Sequence, residues 1–502
     1  MINPPTLVGF FLGKHDSNLI CFHQDKIRYA KSERLLQTKH HRANLNFVID
    51  QLKKWKISSI DGLAFSDGNR NGLGECPKDQ LFTLCTVGAL EAKRTFCLDH
   101  HFAHALSGWP LISTNKIQKA VVLDGRGDHG WRGAVFCKLT DPQCLYRESQ
   151  SNMSSVLNEI GLRLNLQGLD IDHPGKLMGA QAYGIRNLPY EKELLESWET
   201  RPLDESVFDA TLNSDFTLSD SSFYNFENPQ FRNWLASVHH ALSDHTVTFF
   251  KKYCSSEETI FYSGGCAQNS VINSALRNSF PNLIIPPHAY DGGISLGCLE
   301  FLRLQLGLDP FPTENFPFWQ DDGGLEFPST AVISEVAELL AAGKIVAWYQ
   351  GQGELGPRAL GNRSILASPE IPNLKSILNS KVKFREAWRP YGASILFEHV
   401  SDFFVNSLES PYMLYTYETH HTALREVTHV DKTCRIQTVS NENPLLRELL
   451  RLFYSKTGLP VLLNTSLNLG GKPLAGSPDD AIELFRSSKV DALCLGPVLL
   501  KK

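Results

Sequence analysis

The chain has 502 residues, 42% hydrophobic and 21% charged, with a formal net charge of −5. That length exceeds one ordinary core, so two or more domains are expected, and the acidic balance argues against a general nucleic-acid binder. Its 11 scattered cysteines contain no C-x-x-C pair, no apolar run reaches the roughly 20 residues of a bilayer span, and residues 1–5 lack a leader pattern; a reduced, cytoplasmic protein with no membrane partner is expected.

Residues 7–12 are an apolar run and read as a buried strand. Gly13-Lys14-His15-Asp16-Ser17 is a polar turn, and residues 19–22 are a second apolar run. Such a turn suits an ordinary hairpin, although its backbone N–H groups could also meet a phosphate. Residues 32–42 form a basic loop containing Lys39. A helix is expected over 45–55 and a strand over 58–65.

Asp99-His100-His101-Phe102-Ala103-His104-Ala105 follows. His100 and His104 stand four apart and share one face of a helix. Two imidazoles on one face can share a metal when a carboxylate arrives from elsewhere. Alone, the spacing fits two packed helix histidines equally well. The apolar run 120–123 then ends in Asp124-Gly125-Arg126-Gly127-Asp128, where glycines let backbone approach a phosphate and Asp124 can hold a metal or a water. The same pattern also serves in plain turns.

His173-Pro174-Gly175-Lys176-Leu177-Met178-Gly179 suits a helix packed close to another element or a ligand. Residues 186–232 show no clear period and read as an irregular insertion. A helix over 235–253 leads to a strand at 259–262 and the turn Ser263-Gly264-Gly265-Cys266-Ala267-Gln268-Asn269. A strand, two glycines and a helix start can seat a nucleotide. Asp291-Gly292 is a second Asp-Gly after an apolar edge, and it gives a second carboxylate for the two-histidine set.

Residues 308–324 carry Pro310, Pro312 and Pro317 and read as a linker. Beyond it come a helix over 330–342, a strand over 345–349, and Gly351-Gln352-Gly353-Glu354-Leu355-Gly356-Pro357-Arg358-Ala359-Leu360-Gly361-Asn362-Arg363-Ser364. Lys383 and Arg389 lie shortly after. Arginines among glycines are badly placed for a solvated helix face and well placed to grip anions. The chain closes on a strand at 460–463, Asn464-Thr465-Ser466-Leu467-Asn468, and a helix capped by Ser477 with Pro478 at its first position.

In order and combination, these stretches resemble an O-carbamoyltransferase of the nodulation-protein and antibiotic-tailoring family over nearly the whole length. The resemblance rests on Gly13-Lys14-His15-Asp16, His100-His101-Phe102-Ala103-His104-Ala105, Gly175-Lys176-Leu177-Met178-Gly179, Gly264-Gly265-Cys266-Ala267-Gln268-Asn269, the 356–364 stretch and Asn464-Thr465-Ser466-Leu467-Asn468. It implies an α/β protein of two domains. Residues 1–315 would be an actin-like ATPase (ASKHA) duplicated fold, similar to the tRNA threonylcarbamoyl transferase. Residues 325–502 would be a YrdC-like α/β twisted-sheet domain, similar to the threonylcarbamoyl-adenylate synthase. The second domain would form carbamoyl-adenylate from carbamoyl phosphate and ATP, with Mg²⁺ accompanying the ATP. The first would pass the carbamoyl group to a hydroxyl of a small molecule such as an antibiotic, another natural product or a sugar.

Residue by residue, the resemblance implies metal ligands His100, His104, Asp124 and Asp291, with iron as the family metal and Mn²⁺ or Zn²⁺ also suited to such ligands. It places His15 as the catalytic histidine with Lys39 beside it. Lys383 and Arg358 would act in adenylate formation. Arg389, Arg363, Arg435, Asn464 and Ser466 would join them in binding carbamoyl phosphate and nucleotide. Gly125, Gly127, Lys176, Gly264, Gly265 and Asn269 would line the nucleotide site of the first domain. Departures are Asp128, where the family usually has Glu, Arg126 inside the turn, and Gln268 where an apolar residue is frequent. The segments before residue 100 and around 190–230 are shorter than usual, and these normally shape the acceptor pocket. Competing readings are a carbamoyltransferase acting on protein cysteine, a tRNA-modifying enzyme and a non-catalytic actin-like regulator. The first lacks its C-x-x-C motifs, the second an overall positive charge, and the third leaves the arginine-rich half unexplained.

Overall fold

In the computed structural model, which describes residues 4–67, 72–148, 153–200 and 223–502, the first apolar run is β1 (Leu7–Phe11), buried along its length. The 13–17 turn returns the chain antiparallel as β2 (Asn18–His23), and β3 (Lys26–Lys31) pairs antiparallel with β2. A parallel partner needs a crossover. The helix Leu45–Lys54 supplies it, burying Val48, Gln51 and Leu52 on one face, with the Asn44 side chain capping its first turn. The chain then adds β4 (Ile60–Ser66), parallel to β1, followed by β5 (Phe82–Leu84) and β6 (Ala92–Leu98). β6 is parallel to β4, and β5 closes the edge antiparallel. The order is β3-β2-β1-β4-β6-β5.

A second sheet repeats this plan. β7 (Lys119–Leu123), β8 (Gly133–Cys137) and β9 (Gln143–Glu148) form an antiparallel meander. β10 (Ile260–Ser263) is parallel to β7, and β11 (Leu283–Ile284) is parallel to β10. Read from the meander edge the order is β9-β8-β7-β10-β11. Three antiparallel strands followed by two parallel ones thus occur twice, so the first 300 residues contain one topology duplicated.

The third sheet has eight strands: β12 (Val346–Tyr349), β13 (Arg363–Ala367), β14 (Gly392–Leu396), β15 (Thr416–Glu418), β16 (Thr433–Val439), β17 (Val461–Ser466), β18 (Ala492–Leu495) and β19 (Val498–Lys501). Its order is β15-β16-β14-β17-β13-β12-β18-β19. Parallel and antiparallel pairings are mixed, and the helices Thr330–Ala341 and Pro444–Thr457 pack with it into one hydrophobic core.

The chain divides into two compact units, Met1–Asp99 with Asp291–Lys502, and His100–Tyr290. Within the first unit, residues 308–324 are not a free tether. Gln320 bridges to Tyr29 and to Gly353, Asp321 N–H donates to Tyr29 O at 2.7 Å, and the Trp55 indole N–H donates to the Asp321 carboxylate. The end of the proline-rich stretch therefore pairs with the β3 edge, and Pro317 lies in a turn of this packed connection. The expected insertion at 186–232 is also more regular than its composition suggested. Leu188–Thr200 is a helix, and the next described helix starts at Pro229, six residues before the apolar period begins, because Asn228 caps it with proline at its first position. Residues 201–222 of that stretch lie outside the described residues. No described helix is long and apolar enough to cross a membrane.

Candidate functional site

In the second unit, the 100–106 stretch is a helix, His100–Leu106, and every residue of it is buried. Its spacing puts the rings of His100 and His104 4.9 Å apart between centroids. The carboxylate comes from the turn after β7: Asp124 Oδ2 lies 3.0 Å from His100 Nε2 and 3.9 Å from His104 Nε2. One ligand atom from each of the three lies within 4.8 Å of the others. His104 Nδ1 is 3.2 Å from the Ser263 hydroxyl. A ring nitrogen held from behind fixes the face the other presents. Burial alone would raise the Asp124 carboxyl, but the His100 hydrogen bond and the neighbouring imidazoles hold it well below the usual carboxylate range. Two nitrogens and one carboxylate oxygen, buried and converging, fit a divalent transition metal.

The glycine turns build this corner. Gly264 has φ +95°, and a Cβ there would lie 2.2 Å from Leu123 O, so only glycine allows the close approach. Gly265 N–H, next in line, donates to Asp124 Oδ1 at 2.8 Å. At Gly127 a Cβ would stand 2.4 Å from the His101 ring. Asp128 takes the His100 backbone N–H on its Oδ2 at 3.0 Å. It thus satisfies the first N–H of the helix that carries His100 and His104, a contact within reach of its short side chain. Asn269 has a different task from the one expected. Its Oδ1 caps the helix Ser270–Ser279 and its amide meets His239 Nε2 at 3.0 Å, so its polar atoms are committed locally. The Lys176 ammonium donates to the Gln167 carbonyl.

In the first unit, the 13–17 turn places His15 against Asp16, Nδ1 to Oδ2 at 2.8 Å. Asp16 is 1% exposed and sits at φ +58°. Lys31 Nζ lies 2.6 Å from its Oδ1 and 2.8 Å from Glu33 Oε1. Asp291, the first residue of this unit's second segment, is buried, and its Oδ2 is 3.6 Å from His15 Nδ1.

Further along the same unit, the 351–363 loop winds around Glu354. Its Oε1 accepts the backbone N–H groups of Leu360, Asn362 and Arg363 at 2.6, 3.2 and 3.2 Å. Asn464 is buried under the loop and donates to Ala359 O at 3.3 Å and to the Ser394 hydroxyl at 2.9 Å. Lys383 ends a π-helical turn, Asn379–Lys383. Its ammonium donates to the carbonyl and hydroxyl oxygens of Ser466, and to Asn468 O at 2.9 Å and Oδ1 at 2.8 Å. No carboxylate pairs with it among the described residues.

Arg358, Arg385, Arg389 and Arg435 complete a patch of cations that repel one another. Burial, with Arg385 and Arg389 close by, holds Lys383 well below the usual lysine range. Burial, with Arg435 and Arg389, does the same to Arg358. Arg385 and Arg435 are both pushed down to about 10, by burial and then by Arg389. Buried charge of one sign calls for a partner of the other. Arg385 and Asn468 are site residues that the sequence reading did not single out. Arg385 is held by Asn379 Oδ1 at 2.9 Å and lies 4.4 Å over the Tyr391 ring. The signal was present, since Arg385 stands two residues from Lys383 and Asn468 two from Ser466.

Arg363 does not belong to this patch. It is fully buried, paired with Asp322 Oδ2 at 2.7 Å, bonded to the carbonyls of Gln350, Asn362 and Gly351, and stacked 3.5 Å over the Tyr349 ring. These contacts engage both terminal nitrogens of the guanidinium and hold Arg363 in the interior. Arg363→Met should cost roughly 3–5 kcal/mol, because it strands the Asp322 carboxylate in the interior. A urea unfolding midpoint equal to wild type would contradict that.

Comparison with known proteins locates these residues in a family. Residues 337–502, which carry the whole cation patch, match the family described as Carbamoyltransferase C-terminus. The chain is 35% identical over 303 residues to nodulation protein NolO of Bradyrhizobium diazoefficiens, covering 54% of this chain and 55% of that one. It is 30% identical over 452 residues to nodulation protein NolNO of Sinorhizobium fredii, covering 82% and 65%. With the 3'-hydroxymethylcephem-O-carbamoyltransferase of Amycolatopsis lactamdurans the figures are 31% over 345 residues, 65% and 64%. The chain thus spans about half to two thirds of the length of these curated relatives. Residues 337–502 are a carbamoyltransferase C-terminal domain, and the chain is similar to these nodulation proteins and to the cephem O-carbamoyltransferase.

Proposed function

We propose that the protein is an ATP-dependent O-carbamoyltransferase. It forms carbamoyl-adenylate from carbamoyl phosphate and ATP and transfers the carbamoyl group to a hydroxyl of a small molecule. The observation that carries this reading is the patch of Arg358, Lys383, Arg385, Arg389 and Arg435, buried in large part and short of carboxylates, inside the family-matched segment. Carbamoyl phosphate and ATP are both highly anionic. Bringing them together costs repulsion that fixed cations offset, and the same cations stabilise charge on the transferring phosphoryl group. One water takes up the phosphoryl group of carbamoyl phosphate as its P–O bond breaks, giving inorganic phosphate and carbamate, and the carbamate oxygen then attacks the α-phosphorus of ATP and expels pyrophosphate. Carbamate decomposes in water, and the buried Lys383 floor suits a closed pocket.

Transfer is assigned to residues 1–315 and adenylate formation to residues 325–502. The topology duplicated in the first 300 residues supports an actin-like reading of the transfer region. There His15 is the base that takes the acceptor hydroxyl proton near neutral pH, and Lys39 lies in the turn after the short helix Ser32–Leu36 that follows β3. His100, His104 and Asp124 would hold the metal, and the resemblance adds Asp291. When bound, the metal supplies Lewis-acid stabilisation to phosphate oxygens. His104→Ala should lose most of the bound transition metal, since one of two imidazoles is gone. Elemental analysis settles it, and undiminished metal content would remove the assignment. The reaction itself is tested by incubating the enzyme, ATP and carbamoyl phosphate with extracts of the source organism. Mass spectrometry should show one metabolite gaining a single carbamoyl group, and no carbamoylated product would count against a small-molecule acceptor.

A further inference from the structure

Asp16 is the centre of an arrangement that the assigned reaction does not yet use. Its Oδ2 faces two imidazoles at once, His15 Nδ1 at 2.8 Å and His40 Nδ1 at 3.0 Å, with the two rings edge-to-face at 6.2 Å. Its Oδ1 faces the Lys31 ammonium at 2.6 Å. Glu33 holds the rest in place. Its Oε1 takes Lys31 at 2.8 Å, and its Oε2 takes the His40 backbone N–H at 2.9 Å, which pins the 37–41 loop. The Asn18 amide donates to Asp16 O at 2.7 Å, fixing the left-handed turn that aims the carboxylate. Lys31 and Glu33 are both nearly fully buried, so the set cannot easily rearrange. Burial alone would raise the Asp16 carboxyl, but Lys31 and the two histidines hold it well below the usual carboxylate range.

The geometry points to Asp16 as the positioning residue of carbamoyl transfer, with His40 as a second imidazole on the same carboxylate oxygen. This rests on the reaction proposed above. An ionised carboxylate only accepts hydrogen bonds. Facing it with Nδ1, each histidine must carry its proton there, which makes Nε2 the unprotonated ring nitrogen of His15. The acceptor hydroxyl proton moves to that Nε2 as its oxygen bonds to the carbamoyl carbon. The bond from that carbon to the adenylate phosphate oxygen breaks, and AMP leaves with the electron pair. Asp291 Oδ2, 3.6 Å from the same Nδ1, is too distant for a direct hydrogen bond and leaves Asp16 in control of the tautomer.

The direct test reads the tautomer and needs no substrate. With the protein labelled with ¹⁵N-histidine, the ring nitrogen shifts show which nitrogen holds the proton. His15 and His40 are assigned by the signals lost in His15→Gln and His40→Gln. Both neutral rings are expected to carry the proton on Nδ1. In Asp16→Asn, Lys31 still demands an oxygen, so the amide NH₂ turns toward the histidines and donates. His15 should switch to the Nε2–H form, and the transfer rate should fall roughly 100- to 10,000-fold, with the acceptor KM within about threefold of wild type. A merely structural Asp16 would not move the tautomer. Nε2–H on His15 of the wild-type enzyme overturns the proposal, even if Asp16→Asn fails to fold. So does an Asp16→Asn enzyme that transfers within about threefold of wild type. A wild-type enzyme with Nδ1–H on His15 that carbamoylates nothing overturns the assigned reaction, and the role of Asp16 with it.

Discussion

Lys383→Ala is expected to stop carbamoyl-phosphate-dependent pyrophosphate release from ATP, by roughly 100- to 1,000-fold or more. Its ammonium rests on Ser466 and Asn468, with Arg385 and Arg389 beside it. Alanine leaves those oxygens without their donor and the incoming phosphates short of one charge. Because Lys383 is buried, the substitution also threatens the fold. Arg358→Ala separates the two effects. Arg358 is one of several cations that repel one another, so its loss should leave the melting temperature close to wild type while adenylate formation falls by a similar factor. An Arg358→Ala enzyme that releases pyrophosphate at the normal rate would remove the cation patch from the chemistry.

His15→Asn should lower carbamoyl transfer by roughly two to four orders of magnitude. Asparagine keeps a hydrogen-bonding group beside Asp16 but cannot take up a proton. Adenylate formation should continue, because the cation patch and the groups that hold it lie within residues 358–468 and do not include His15. The variant should therefore turn over ATP and carbamoyl phosphate without carbamoylating the acceptor. Quantifying pyrophosphate and carbamoylated product in the same reaction checks both halves. Transfer at the wild-type rate would mean that another base is in use.

Features encoded locally were legible in the sequence. The i, i+4 spacing of His100 and His104 gave the shared helix face, and Ser477-Pro478 gave a helix start whose Ser477 side chain does accept from the Asp480 N–H. Apolar runs beside glycine turns gave β1, β2, β4, β7, β10, β12 and β17. Features that depend on residues far apart were not. Arg358 and Arg363 stand five apart in the same glycine-rich stretch, and nothing local distinguishes them. The difference comes from Asp322, 41 residues upstream of Arg363, which pairs with Arg363, while Arg358 stands beside Arg435 and Arg389. That the Asn269 oxygen caps the helix it opens is a local feature the sequence reading did not name. Residues 308–324 looked like a tether because proline marks turns, and proline composition cannot show that Gln320 pairs with Tyr29 nearly 300 residues away. The Asp16 cluster escaped notice for the same reason, since its members reach it from separate points between residues 15 and 40.

The central claim is that this chain activates a carbamoyl group as an adenylate. The measurement that meets it most directly is the fate of labelled ATP incubated with the full-length protein and carbamoyl phosphate, resolved by chromatography. The account predicts AMP and pyrophosphate, formed only when carbamoyl phosphate is present and lost in Arg358→Ala. ADP as the stoichiometric product, or AMP formed equally without carbamoyl phosphate, would contradict it.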